Sequence, residues 1–167
     1  MSDTEAIRQW VATETGLETV WLHPNAPRPA RPYAAVQVLS SPRLGEPYVG
    51  WPDGTTGAGE VAGQTESTFS IHIYEAASAP DPRAALMRVF ALRNTLDKPT
   101  VREYFRVNQW AFRAVEMITD SPELLDTSWE SRAMFDVRFG STATQSDDLG
   151  VIETAVVNND PIAEEDA

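Results

Sequence analysis

The apolar positions of this chain change period several times. Ile7, Trp10 and Val11 recur at helical spacing, which predicts a short amphipathic helix laid on a sheet. Ser2, with Glu5 three residues on, reads as its capping box, and Gly16 as its stop. Residues 19–22 predict a short strand. Residues 33–39 predict a second one, apolar on both faces and therefore central. From 65 to 74 the alternation is clean: Phe69, Ile71 and Ile73 face a core, Ser70 and His72 face out.

Asp81-Pro82 opens a helix, with Asp81 as cap and Pro82 in the first helical position. Ala85, Val89, Leu92 and Leu96 mark its buried face. Lys98-Pro99 breaks it, and Thr100 caps a shorter helix running to Val107. Residues 110–118 predict a strand closed by Asp120-Ser121-Pro122. The strongest strand follows. Trp129, Ala133, Phe135, Val137 and Phe139 point one way, Glu130, Arg132, Asp136 and Arg138 the other. Asp147-Asp148-Leu149-Gly150 reads as a turn before a last strand at 151–157. These elements predict an α+β fold over residues 1–157: one domain, a mostly antiparallel sheet with helices on one face. Residues 158–167, with Glu164, Glu165 and Asp166, predict a flexible acidic tail. The chain holds no internal repeat.

Two segments obey neither period. Pro27, Pro29 and Pro32 alternate through Arg28 and Arg31 and run into the strand at Tyr33. Each proline lacks a backbone N–H and fixes φ, so residues 24–32 predict a stiff extended connector. Between 42 and 63 glycine and proline recur throughout, with Tyr48 and Trp51 in the middle. Residues 44–63 therefore predict an extended loop or hairpin, of a length that usually serves a function. Aromatics in such a segment either form an interface hot spot or fold back over the core.

Composition narrows the class. At 167 residues with 42% hydrophobic content the chain can bury a real core. It has no cysteine, hence no disulfide, thiolate chemistry or cysteine-bound zinc. Its start is acidic and lacks the pattern of a signal peptide, and no run reaches the ~18 apolar residues of a membrane span. A net charge of −12 disfavours binding to nucleic acid or anionic membrane. Lys98 is the only lysine, and the twelve arginines read as scattered.

Candidate chemistry is sparse. His23 and His72 are the only histidines and form no close-spaced pair, so no metal scaffold is visible. Asp147 and Asp148 are sequence neighbours that point apart on any regular element. The sequence has no nucleophile elbow, Walker or dinucleotide fingerprint, and Gly57-Ala58-Gly59 lacks the strand-then-helix setting of a phosphate loop. No catalytic, metal or cofactor site is expected. The row Glu130, Arg132, Asp136, Arg138 reads either as a solvated face with weak ion pairs or as a subunit interface.

In order along the chain, these pieces resemble the phage neck (tail) terminator family. The resemblance rests on Ile7-Arg8-Gln9-Trp10-Val11, on Asn25-Ala26-Pro27-Arg28-Pro29 before Pro32-Tyr33, and on Phe69-Ser70-Ile71-His72-Ile73-Tyr74. It continues through the helix beginning Ala84-Ala85-Leu86, then Glu130-Ser131-Arg132-Ala133-Met134-Phe135-Asp136-Val137, and Asp147-Asp148-Leu149-Gly150-Val151-Ile152-Glu153. The resemblance implies a structural virion protein, made in the bacterial cytoplasm. It would form a hexameric ring at the head-proximal end of the tail, stop growth of tail tube or sheath, and join the tail to the head–neck connector. DNA would pass through without specific binding, and the family brings no catalytic motif. A ring of identical subunits needs two different complementary surfaces on each. Pro27, Arg28, Pro29, Tyr48, Trp51, Arg132 and Arg138 are the interface candidates. The alternatives are another neck component such as a stopper or head-completion protein, a tail-assembly factor, or a small-ligand module with 44–63 as a lid.

Overall fold

Two long strands paired along their whole length organise the molecule. The computed structural model describes residues 4–22, 25, 27–51, 57–76, 81–125 and 128–148. In it β4 (Ala58–Tyr74) and β9 (Arg132–Asp148) run antiparallel, 17 residues each. Their register holds from Ala58 opposite Asp148 to Tyr74 opposite Arg132 without a bulge. At ~3.3 Å per residue each strand is about 56 Å long.

The remaining strands flank this pair. β2 (Tyr33–Ser40) lies antiparallel to residues 68–74 of β4, with β1 (Glu18–Trp21) parallel outside it. β3 (Arg43–Gly50) continues the line of β2 and pairs with the distal end of β4. On the other side, β5 (Ala111–Val115) and β6 (Thr119–Asp120) pair with β9. β7 (Glu123–Leu125) and β8 (Ser128–Glu130) form a separate two-stranded hairpin. The sheet order β1-β2-β4-β9-β5 is antiparallel except at β1–β2, the mostly antiparallel α+β arrangement that the patterning predicts.

Three helices cover one face of the sheet's proximal half: α1 (Glu5–Thr15), α2 (Ala84–Thr95) and α3 (Pro99–Val107). Ile7, Trp10 and Val11, then Ala85, Val89, Leu92 and Leu96, then Val101 and Phe105 are buried against Phe69, Ile71, Ile73, Phe135 and Val137. Phe139 sits at the centre, its ring 4.5 Å from Phe105, 6.0 Å from Phe112 and 6.2 Å from both Phe69 and Trp110. Polar contacts fix the helices to one another. The Trp10 indole donates to Thr95 Oγ1 at 3.1 Å, the Tyr104 hydroxyl to the Ala6 carbonyl at 3.0 Å, and Lys98 Nζ to Glu14 at 2.8 Å.

The helices are far shorter than the strands beneath them: α2 at ~1.5 Å per residue extends about 18 Å. Beyond it β3, the distal β4 and the distal β9 project as a three-stranded arm. In β2 the change is abrupt: residues 33–36 are buried and 37–40 exposed. The sequence reads β2 as central and apolar on both faces. It is internal to the sheet, but Val38 and Leu39 are 42% and 50% exposed because the helical layer has ended.

Several local expectations are corrected. Thr4, not Ser2, holds the cap position of α1 and makes no side-chain cap bond; Glu5 is engaged by Arg8 and by the Trp21 indole. Asp81 accepts from the Arg83 N–H at 2.8 Å in a turn ahead of α2, which starts at Ala84. α3 starts at Pro99 with Lys98 in the cap position, so Thr100 lies inside it. The strand expected over 110–118 is shorter, and Trp129 belongs to β8, 62% exposed, because the chain breaks at Ser131. Asp147 and Asp148 are strand residues opposite Gly59 and Ala58, not a turn. Ser2, His23, Leu149 and Gly150, the last strand at 151–157 and the tail at 158–167 lie outside the described residues.

Phe139→Ala should cost about 3–5 kcal/mol of unfolding free energy, the usual range for removing a buried aromatic ring. Gly16, at φ +66°, ends α1, and a Cβ there would meet nothing within 4 Å. Gly16→Ala should therefore cost only the left-handed backbone strain, about 1 kcal/mol. Urea denaturation checks both, and an unchanged midpoint for Gly16→Ala would show that the helix end is not held in that conformation.

Candidate functional site

The face of the sheet opposite the helices is where the sequence candidates meet. Tyr33 and Tyr74, opposite each other on β2 and β4, stack with ring centroids 4.6 Å apart. Burial raises both phenol pKa values, with the neighbouring phenol adding to the effect at Tyr33. Arg132 lies over the Tyr74 ring at 5.1 Å. Its Nη2 donates to His72 Nδ1 at 3.3 Å and its Nη1 stands 3.6 Å from Glu123 Oε2, tying β9 to the small hairpin.

His72 and Ser70, expected on a solvated face, are 5% and 3% exposed. Both are outward with respect to the helices; Tyr74 stacks on the His72 ring at 6.3 Å and Arg132 bonds it. With Nδ1 accepting, the imidazole proton sits on Nε2, which has no hydrogen-bond partner among the described residues. Burial first, and then the Arg132 guanidinium, lower the His72 pKa to about 4. Glu130, also expected outward, is 1% exposed and forms an ion pair with Arg31 of the connector. A buried carboxylate needs such a partner, since an unpaired charge there costs several kcal/mol.

That ion pair anchors the proline segment to β8. Pro27 and Arg28 are exposed and Pro29 half-buried. They form a ridge between a hollow of about 580 Å³, bounded by Arg8, Thr19 and Trp21, and one of about 330 Å³, bounded by Arg31, Tyr33 and Ala76. Arg138 lies further along the same sheet face as Arg132. It donates to Glu66 at 3.1 Å and pairs with Glu116 at 3.2 Å. Arg28, Pro29 and Arg132 thus lie near the tyrosine stack, Pro27 borders the hollow on the Trp21 side, and Arg138 stands at a distance.

Tyr48 and Trp51 belong to a different place. Both are on the arm, 69% and 93% exposed, and neither folds back over the core. By register Val49, Val61 and Asp147 share the arm face on the helix side of the sheet, whereas Tyr48 and Glu60 share the other. Among the described residues the arm has two open edges, β3, where Pro47 supplies no backbone donor, and the distal end of β9 at 141–148.

Among the described residues no group of three His, Asp or Glu is placed to hold a metal, and no helix is long and apolar enough to cross a membrane. The site holds surfaces and internal ion pairs. Two of its features escaped the sequence reading: the buried Arg31–Glu130 pair and the tyrosine stack, both formed by residues far apart in the chain. A third was legible and missed. The basic residues are not scattered: Arg83, Arg88, Arg93, Lys98, Arg102, Arg106 and Arg113 fall in one stretch with only Asp97 and Glu103 against them. That stretch carries a surplus of five positive charges, and the rest of the chain a surplus of seventeen negative ones.

Because folding holds His72 neutral, its contribution is fully present above its ordinary pKa near 6.5 and is lost as pH falls from there through about 4. His72→Gln should flatten that part of the stability profile by on the order of 2 kcal/mol. Urea midpoints at pH 7 and pH 4.5 measure it, and parallel profiles for the two proteins would refute it.

No curated protein sequence matches the chain. Residues 4–165, which take in the connector, the arm and the core, match the family described as phage neck terminator protein. The chain belongs to that family, structural rather than catalytic proteins of the phage neck, and so to the virion.

Proposed function

We propose that the protein forms a hexameric ring at the head-proximal end of the phage tail. There it stops growth of the tube or sheath and joins the finished tail to the head–neck connector. The observation that carries this reading is the arm. It is a three-stranded extension, joined to the core by the unbroken β4–β9 ladder, with Trp51 just past β3 93% exposed. An isolated domain gains nothing from displaying so large an apolar side chain, and tryptophan is enriched among residues that dominate interface energies.

A closed ring also needs a donor and an acceptor surface on each copy. The arm is a donor that reaches well past its own helices. The proline ridge with Arg28, and the face with Arg132 and Arg138, then serve contacts to tail tube or connector. In this arrangement the acidic part of the chain keeps DNA in transit from adhering, since like charges repel and the phosphate backbone finds few cations to exchange for its counterions.

Light scattering on a sizing column should give a hexamer mass, or a monomer that becomes a ring on purified tail tubes. Trp51→Ala should weaken ring formation by at least tenfold in concentration while leaving the thermal midpoint within 1–2 °C, as expected for an exposed side chain. A monomer that ignores tubes would overturn the reading.

A further inference from the structure

Helix α2 carries two apolar stripes where one would serve the core. Ala85, Val89, Leu92 and Leu96 are buried beneath it. On the opposite side Met87 is 58% and Phe90 44% exposed, with Ala91 also exposed beside them. The spacing of residues 87, 90 and 91 places these three on one outward stripe. A helix that is apolar on both sides is one covered on both sides, and α2 is covered on only one by its own chain. Arg83, which stands 3.9 Å from Asp81, and Arg93, which has no ion-pair partner among the described residues, border the stripe.

We infer that this outward face of α2 is the receptor for the arm of a second copy of the same chain. The complementary surface is present on every copy. The helix-side face of the arm offers Val49, 61% exposed, with Val61 beside it, Trp51 beyond them, and Asp147 on the same side. Apolar residues meet apolar residues, with Asp147 at the far end of the arm face available to Arg93, while Arg43 lies over Gly63 at the near end of that face. The charge division of the chain points the same way, because α2 lies in the segment with the largest positive surplus. The arm cannot satisfy its own α2, since the β4–β9 ladder carries it straight away from the helical layer. Of the arm's two edges, β3 is interrupted by Pro47; the docking surface is the apolar helix-side face between them. The contact is head-to-tail, which is the kind that closes into a ring.

This inference rests on the ring reading, and a mixing experiment separates the two. Trp51→Glu breaks the arm and Phe90→Glu breaks the receptor; Met87→Glu repeats the second test at a more exposed position. Each variant alone should stay monomeric under conditions where the unaltered protein forms rings. Mixed in equal amounts, an arm variant and a receptor variant retain one intact pair of surfaces and should form a dimer that grows no further, read as mass by light scattering. Rings from Phe90→Glu and Met87→Glu as complete as those of the unaltered protein would overturn the inference while leaving the ring intact. So would a mixture that stays monomeric. Duplex DNA bound by the unaltered protein and released by Phe90→Glu, with rings unchanged, would assign the face to nucleic acid instead. An unaltered protein that never assembles, with or without tubes, would overturn both readings.

Discussion

The register of β4 against β9 is the constraint on which the rest of the structure depends. Seventeen residues of each strand pair without a slip, and all three helices pack on a sheet whose two central strands these are. A slip of one residue would turn every side chain to the opposite face. Phe69, Ile71, Phe135, Val137 and Phe139 would then leave the helices, and Arg132 and Arg138 would enter the core. The burial of those five side chains holds the register in the proximal half. The distal half, with little to bury, inherits its register from there.

This division explains what the sequence disclosed. Alternation over Phe69, Ile71 and Ile73 and over Ala133 to Phe139 was legible because a strand with one face on a core must alternate. The stripe Ala85, Val89, Leu92 and Leu96 was legible for the corresponding helical reason. The arm was harder. Residues 44–63 read as a loop or hairpin because glycine and proline dominate them, and residues 141–148, Ser-Thr-Ala-Thr-Gln-Ser-Asp-Asp, carry no apolar period at all. They are strands because their neighbours in the ladder are strands, a tertiary cause that local composition does not record. The Asp147-Asp148 turn failed for the same reason. The site was legible in part: the sequence leaves open whether Tyr48 and Trp51 fold back over the core, and the position of the arm, which leaves both exposed, excludes that reading.

The second face of the sheet depends on a different principle. There the sequence shows a row of charges and a histidine, which pattern alone assigns to solvent. Glu130 and His72 are nonetheless enclosed: the proline connector brings Arg31 onto β8, and Tyr74 stacks on the His72 ring. Burial of charge in a position that looks solvated requires a partner from elsewhere in the chain, and that partner lies about a hundred residues away in sequence. The connector is stiff for a reason: it carries a counter-ion to a fixed address.

The arm has one further consequence, for how proteins of this design diversify. Its two longest strands, β4 and β9, pair residue for residue, and their side chains alternate between faces. Adding or removing two residues in each strand keeps every apolar and every acidic position on its original side, and changes the reach by about 7 Å. Adding one turns the contact face away. Reach is therefore a quantity that changes in discrete increments, and a lineage can fit the same core to a wider or narrower neighbour by lengthening the ladder in pairs without redesigning either surface.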